Sequence, residues 1–238
     1  MPNWDTDIGD LAQQFFDEMM SGDEKITKLV EKLSDGSATY IDAERYAEYL
    51  GANSGQAAWR AYRYTTSAAP DMPLKYDLAE ELIHRRMEDD FKRVTGYAQQ
   101  VQEALNKEAG LSMKAIVPEY SSSRANDLAY KLSLDPGETE KFRDFLKSAI
   151  QNAAQGAVDN MQELNIDAQY DAGLRPTIHR IANGSEACEW CWSLNGVYDY
   201  YPGMNRDIFR RHQNCNCIVY YDPGTGRRNQ DVWSKRFF

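Results

Sequence analysis

Cysteine is absent from the first 187 residues of this 238-residue chain, and all four cysteines lie between residues 188 and 217. A secreted, disulfide-rich protein usually spreads its cysteines along the chain and begins with a signal peptide. Residues 1–5 lack the basic region and apolar core of such a peptide, so we expect the protein to stay in the cell that makes it. The cysteine cluster therefore favours a metal site over disulfide bonds.

Long hydrophobic runs are absent too. The chain contains no stretch of about 18 apolar residues, which excludes a membrane-spanning helix. Hydrophobic residues make up 42% of the chain and charged residues 27%, which is ordinary for a globular protein with a buried core. The length allows one large domain or two small ones.

Basic residues are outnumbered by acidic ones outside the C-terminal part of the chain. Residues 1–174 hold 18 Lys/Arg against 31 Asp/Glu, whereas residues 175–238 hold 9 against 6. The acidic part repels nucleic acid. The small basic excess of the tail is enough only for a weak contact with DNA.

Apolar residues recur at helical spacing over the first two thirds of the chain. Asp23 is a candidate cap for the second helix, and Asp42 for a short third helix that ends before Gly51. The helices predicted in this way cover residues 7–20, 24–35, 43–50 and 55–64. The pattern then breaks near residues 66–76, where two prolines stop the helix.

Two longer apolar stripes follow. The first covers residues 77–109 and predicts either one long helix of an extended bundle or a helical hairpin broken near Gly96. The second follows Asp-Pro-Gly-Glu at residues 135–138, which is a strong helix start. Small residues at positions 153–157 would let a partner helix approach closely. Between the two stripes, residues 113–117 are predicted as a short strand.

From about residue 166 the pattern changes, and aromatic, β-branched and turn residues become frequent. Residues 197–201 and 217–221 are predicted as strands. The fold class expected from these patterns is α+β and mainly helical. It consists of a long-helix bundle over residues 1–174, with a possible sub-boundary near residues 66–76, and a small zinc-stapled β-hairpin region over residues 175–238.

Five side chains of the tail have the types and spacing of a metal site. Cys188 and Cys191 are two residues apart, which lets both sulfurs reach one ion, and His212 and Cys215 repeat that gap. Thiolate and imidazole together suit Zn²⁺ best among the common metals. We prefer these four ligands. Cys217 is a fifth candidate that can replace His212 or Cys215, because alternate residues of a strand point to the same side.

The predicted zinc is structural, and the protein is not predicted to be an enzyme. A catalytic zinc needs an open position and a nearby base, whereas four or five donors close the site. His84 is predicted at the surface, and His179 has no visible nucleophile partner. Two alternatives are a zinc enzyme such as a nuclease with His179 as base, and a zinc-ribbon-like nucleic-acid-binding module. The module would use Arg206, Arg210, Arg211, Arg227 and Arg228.

The tail as a whole resembles the C-terminal part of a known family. It reads Cys188-x-x-Cys191-x-x-Leu194-x-Gly196, then Arg211-His212-x-x-Cys215-x-Cys217, then Tyr221-x-Pro223-Gly224 and Gln230-Asp231-Val232-Trp233. This order is similar to that of phage minor head proteins of the Mu F type, also called head-morphogenesis or minor capsid proteins. The resemblance covers about residues 175–238, and the helical part agrees with the family only in kind.

The resemblance implies a structural role in head assembly near the portal. It implies portal, coat or scaffold proteins of a phage head as partners. The expected location is the capsid interior of the virion, with the host cytoplasm as the place of assembly. It implies no catalytic residues.

Overall fold

The computed structural model describes residues 7–67, 72–134, 140–182, 187–212 and 214–224. In these ranges the chain forms seven α-helices, one short 3₁₀ helix (Arg206–Phe209) and a three-stranded antiparallel sheet. The helices are α1 Ile8–Met20, α2 Glu24–Asp35, α3 Tyr40–Thr66, α4 Tyr76–Glu108, α5 Ser123–Leu134, α6 Glu140–Asp171 and α7 Glu189–Ser193. The strands are β1 Thr177–Ile181, β2 Gly196–Asp199 and β3 Ile218–Asp222. The mainly helical α+β prediction is confirmed.

The first helices begin at capping side chains. Asp23 caps α2 as predicted, because its carboxylate accepts the backbone N–H of Lys25 at 2.9 Å. Helix α3 begins earlier than predicted. Thr39 is its cap, and Asp42 completes a capping box from the third helical position rather than serving as the cap itself.

The prediction that the third helix stops at Gly51 is wrong, since α3 runs without a break to Thr66. Gly51 and Gly55 lie where α3 crosses α6. A Cβ atom on Gly51 would lie 2.6 Å from Cα of Gln151, and one on Gly55 would lie 2.6 Å from Cα of Lys147. Glycine is therefore needed here for the close approach of two helices, and not to end one.

Helix α4 is a single helix of 33 residues, so the alternative of a hairpin broken at Gly96 is wrong. A single glycine costs a helix only about 1 kcal/mol, which the buried face of α4 offsets, and a Cβ atom on Gly96 would meet nothing within 4 Å. None of the helices in the described ranges is both long and apolar enough to cross a membrane. The helix start predicted at residues 135–138 lies outside the described residues.

Residues 113–117 do not form the predicted strand. The backbone N–H of Ile116 donates to Oδ1 of Asn165 at 2.9 Å, and its carbonyl accepts from Nδ2 of Asn165 at 2.7 Å. A single side chain of α6 thus satisfies both backbone groups that a neighbouring strand would otherwise pair.

The sheet has the order β2-β1-β3, with β1 pairing antiparallel to both neighbours. Strands β2 and β3 overlap the predicted strands at residues 197–201 and 217–221, and each of them pairs with β1 rather than with the other. The central strand β1 was not predicted from the sequence. Its two buried positions are Ile178 and Arg180, and a buried arginine hides the alternation of apolar and polar residues that marks a strand.

The sheet packs against the helices in a shared core. Ile178, Val219 and Tyr221 belong to the same buried cluster as Tyr40 of α3 and Met161 of α6. The hydroxyl groups of Tyr40 and Tyr221 both donate to Oε1 of Gln102 in α4, at 2.6 and 2.7 Å. Helices and sheet therefore hold each other in place through both apolar and polar contacts.

Replacing Gly51 or Gly55 by alanine should lower the free energy of unfolding by about 1–3 kcal/mol, because each new methyl group meets the α6 backbone. The matched control is Gly96→Ala, which has open space and should raise stability by up to about 1 kcal/mol through helix propensity. Urea unfolding followed by circular dichroism measures all three variants. Equal effects at Gly51 and Gly96 would contradict the close packing.

Candidate metal centre

The first pair of donors lies at the start of α7. Cys188 is the residue that caps this short helix, and its sulfur accepts the backbone N–H of Cys191 at 3.5 Å. Cys188 is exposed, whereas Cys191 is buried. The helical turn between them directs both sulfurs to the same side, as the two-residue spacing predicts.

The second group of donors lies between the 3₁₀ helix and β3. The backbone N–H of Cys215 donates to the carbonyl of His212 at 3.2 Å, which closes a turn. Asn214 adopts a left-handed conformation in this turn with φ +59°, which asparagine tolerates better than most residues. Cys215 and Cys217 are both buried.

All five predicted donors come together around Cys191. The Nε2 atom of His212 lies 3.2 Å from the Cys188 sulfur and 2.9 Å from the Cys191 sulfur, and the sulfurs of Cys191 and Cys215 are 3.8 Å apart. The donor atoms form two triads that share Cys191, and within each triad the atoms lie within 4.8 Å of one another. Ligands of one tetrahedral zinc ion at ~2.0–2.3 Å are about 3.3–3.8 Å apart. The cluster can therefore hold a metal ion such as zinc.

The thiols differ in acidity because their surroundings differ. A hydrogen bond from the Cys217 thiol lowers the pKa of Cys215 to about 5, and the positive charges of Arg211 and Arg180 act in the same direction. The backbone N–H of Cys191 lowers the pKa of Cys188. Burial raises the pKa of the Cys191 thiol. The pKa of the Cys217 thiol is also raised, because this thiol donates a hydrogen bond to the Cys215 sulfur. A metal ion would displace the proton of each of these thiols that serves as a ligand.

Arg180 of β1 is a buried neighbour of the cluster. Its Nη2 lies 3.8 Å from the Cys215 sulfur, and its Nη1 donates to the carbonyls of Ile208 and Arg210. Its guanidinium lies 5.2 Å from the centre of the Trp190 ring. Arg180 thereby joins the central strand to both arms of the cluster and places a positive charge beside the Cys215 sulfur.

Arg211 connects the cluster to the helical bundle. Its Nη1 donates to the carbonyl of Cys217 at 2.7 Å, its Nε to Asp159 of α6 at 2.5 Å, and its Nη2 to Glu44 of α3 at 2.7 Å. All three charged side chains are at most 1% exposed. The residue next to His212 is thus the centre of a buried ion network.

This network places two carboxylates and one guanidinium away from water. Burial raises the pKa of Glu44 well above its usual value, Arg211 opposes this shift, and Asp159 adds to it. Gln162 donates its Nε2 to Glu44 at 3.2 Å and to the carbonyl of Val219 at 2.9 Å. Buried charges of this kind tolerate the loss of a partner poorly.

The remaining histidines lie away from the cluster. His179 is on the face of β1 opposite to Arg180, and its ring stacks on Tyr220 with centroids 4.6 Å apart. His84 is half-buried, and its Nε2 is buried without a hydrogen-bond partner among the described residues. Neither imidazole belongs to a group of metal donors in the described part of the chain.

Sequence reasoning missed the charged residues that support the cluster: Arg180, Arg211, Glu44 and Asp159. Glu44 and Asp159 are two acids among 37 and carry no spacing signal. The one available signal was the position of Arg211 directly before His212 within the motif.

No family model, curated protein or solved structure matches this chain. The interpretation of the cluster therefore rests on its own geometry and on the chemistry of its residues.

Replacing Arg211 by alanine should cost about 3–5 kcal/mol of unfolding free energy, because Glu44 and Asp159 lose their buried counterion. The matched control is Arg85→Ala, which removes an exposed pair with Asp7 and Asp10 and should cost about 0–1 kcal/mol. Urea unfolding with zinc in excess measures both. Similar losses for the two variants would show that the buried network does not stabilise the fold.

Proposed function

We propose that this chain is a structural phage minor head protein whose C-terminal region is held together by a structural zinc ion. The observation that carries the zinc assignment is the convergence of five sulfur and nitrogen donors around Cys191. A zinc ion takes four such ligands in a structural site. A supply of five donors favours a closed site over one that keeps a position open for a substrate.

The surroundings of the donors also favour a structural role. Among the described residues, the local core beneath α7 consists of Ala182, Cys191, Cys215 and Cys217, with Ala187 packed against it. This is too little apolar surface to hold the α7 segment firmly to β3. A metal ion supplies the missing stabilisation, as it does in other small domains with a structural zinc.

The assignment to a phage head comes from the resemblance of residues 175–238 to minor head proteins of the Mu F type. The part of that motif at residues 230–233 lies outside the described residues. Under this proposal the protein assembles with portal, coat or scaffold proteins and resides inside the capsid. Edge strand β2 and the exposed side chains of Trp192, Val197 and Tyr201 offer a surface for such a partner.

The two alternatives have less support from the geometry. A zinc nuclease would need a base beside the metal, and His179 faces the other side of β1. For a nucleic-acid-binding module, the candidate arginines are already paired: Arg206 with Glu163 and Asp167, Arg210 with Asp207, and Arg211 with Glu44 and Asp159. Arg227 and Arg228 lie outside the described residues.

Freshly purified, reduced protein should contain one zinc ion per chain by elemental mass spectrometry. A strong chelator should lower the melting temperature, because the metal contributes folding free energy. Cys191→Ser should abolish stoichiometric zinc, since Cys191 is shared by both donor triads. A protein that carries no metal and melts identically with and without chelator would overturn the zinc assignment.

Two control variants sharpen this test. Ser193→Ala lies in the same helical turn and removes only an exposed hydroxyl contact with the Trp190 carbonyl, so it should keep its zinc. Cys217→Ser should also keep one zinc per chain if Cys188, Cys191, His212 and Cys215 are the ligands. Loss of zinc in Cys217→Ser would instead make Cys217 a ligand and remove one of the preferred four.

The phage assignment predicts the genetic surroundings of the chain. A portal gene should lie just upstream, and a scaffold or coat gene downstream. Sequencing the genome around this gene checks the prediction. A neighbourhood without any head or portal gene would contradict the head-protein proposal and leave the zinc assignment untouched.

A further inference from the structure

A cavity of about 550 Å³ lies between α4, α6, the segment that leads into α5 and the 3₁₀ helix. Met87, Phe91 and Phe209 form part of its apolar wall. Small residues of α6, including Ala153 and Gly156, line the cavity and leave it open. Its volume lies within the ~300–1,000 Å³ typical of small-molecule sites.

Three buried polar atoms without a protein partner belong to residues that line this one cavity. They are Oδ2 of Asp90, the hydroxyl of Tyr120 and Nη1 of Arg206, and none has a hydrogen-bond partner among the described residues. The Asp90 side chain is only 2% exposed, and Arg86 occupies its other oxygen at 3.0 Å. Buried polar atoms are nearly always paired, so these three atoms leave hydrogen-bonding capacity beside the cavity for a polar group.

Two arginines offer contacts to an anion in this cavity, which Asp90, Glu119 and Glu163 also line. Arg206 uses Nη2 for Asp167 and Nε for Glu163, which leaves Nη1 available. Arg124 makes no salt bridge within the described residues, and its Nη1 lies 3.4 Å from where a Cβ of Gly156 would be. Guanidinium groups bind carboxylate and phosphate oxygens with particular strength.

The wall of the cavity also suits an aromatic ring. Phe91 and Tyr120 pack edge to face with their centroids 5.3 Å apart, and both line the cavity. An aromatic ligand can extend such a pair by the same edge-to-face or offset packing.

We propose that this cavity binds a small aromatic anion that also carries an N–H or O–H donor. Its carboxylate or phosphate contacts Arg124 and Arg206, its ring packs near Phe91, and its donor pairs with Oδ2 of Asp90. This site is separate from the cysteine cluster and does not depend on the zinc or phage proposals.

Isothermal titration calorimetry on the full chain tests the site with three probes: AMP, 4-aminobenzoate and phenyl phosphate. AMP or 4-aminobenzoate should bind, and should bind more tightly than phenyl phosphate, which lacks the donor. Gly156→Leu fills the cavity and should weaken this binding about tenfold or more. The matched control is Gly96→Leu, a helical glycine with open space around it that does not line the cavity, and it should bind as the original chain does.

A second variant covers the case in which Gly156→Leu does not fold. Arg124→Gln alters an exposed residue and should weaken binding about fivefold or more, with a smaller dependence on salt. The proposal is overturned if none of the three probes binds at millimolar concentration. It is also overturned if binding survives unchanged in the cavity variants, because the probe would then occupy another surface.

Discussion

The rest of this structure depends on the buried ion pairs that the guanidinium of Arg211 makes. The guanidinium pairs with Glu44 of α3 and Asp159 of α6 and donates to the backbone carbonyl of Cys217. Because water does not reach these charges, each must find its partner inside the protein. These ion pairs therefore form only when α3 crosses α6 at this point and the loop that carries the cysteines lies against both helices. The close approach at Gly51 and Gly55 helps to set the spacing that this ion network needs.

The cysteine cluster is connected to that ion network through the backbone and through hydrogen bonds. Arg211 directly precedes His212, and Arg180 reaches from the central strand to the Cys215 sulfur. A metal ion bound by the cluster would fix the backbone that presents Arg211, and the ion network would hold the donors near their binding positions. This arrangement suits a centre that stabilises the fold. The apolar and polar contacts between the sheet and the helices extend the same coupling, since Tyr40 and Tyr221 share one acceptor in α4.

Periodic patterns predicted several elements well, and the errors have identifiable causes. Helices α1, α2 and α4 follow their apolar stripes, because burial of one face suffices to specify an exposed helix. Gly51 was misread as a helix end because a glycine in contact with another helix cannot be told from a terminal one by local sequence. Strand β1 was missed because one of its two buried positions is Arg180, whose burial depends on carbonyl partners elsewhere in the chain.

The sequence by itself determined the helical bulk of the chain, the identity of the five donors and the spacing that lets them meet. These properties are local, since each helix face and each closely spaced pair of donors depends on residues a few positions apart. The tertiary structure alone decided the central place of β1, the ion network and the polar cavity. Glu44 and Arg211 are 167 positions apart, and the cavity combines side chains from four separate segments. Contacts of that range arise only when packed elements bring distant residues together, and no local pattern encodes which of many similar charges will be buried.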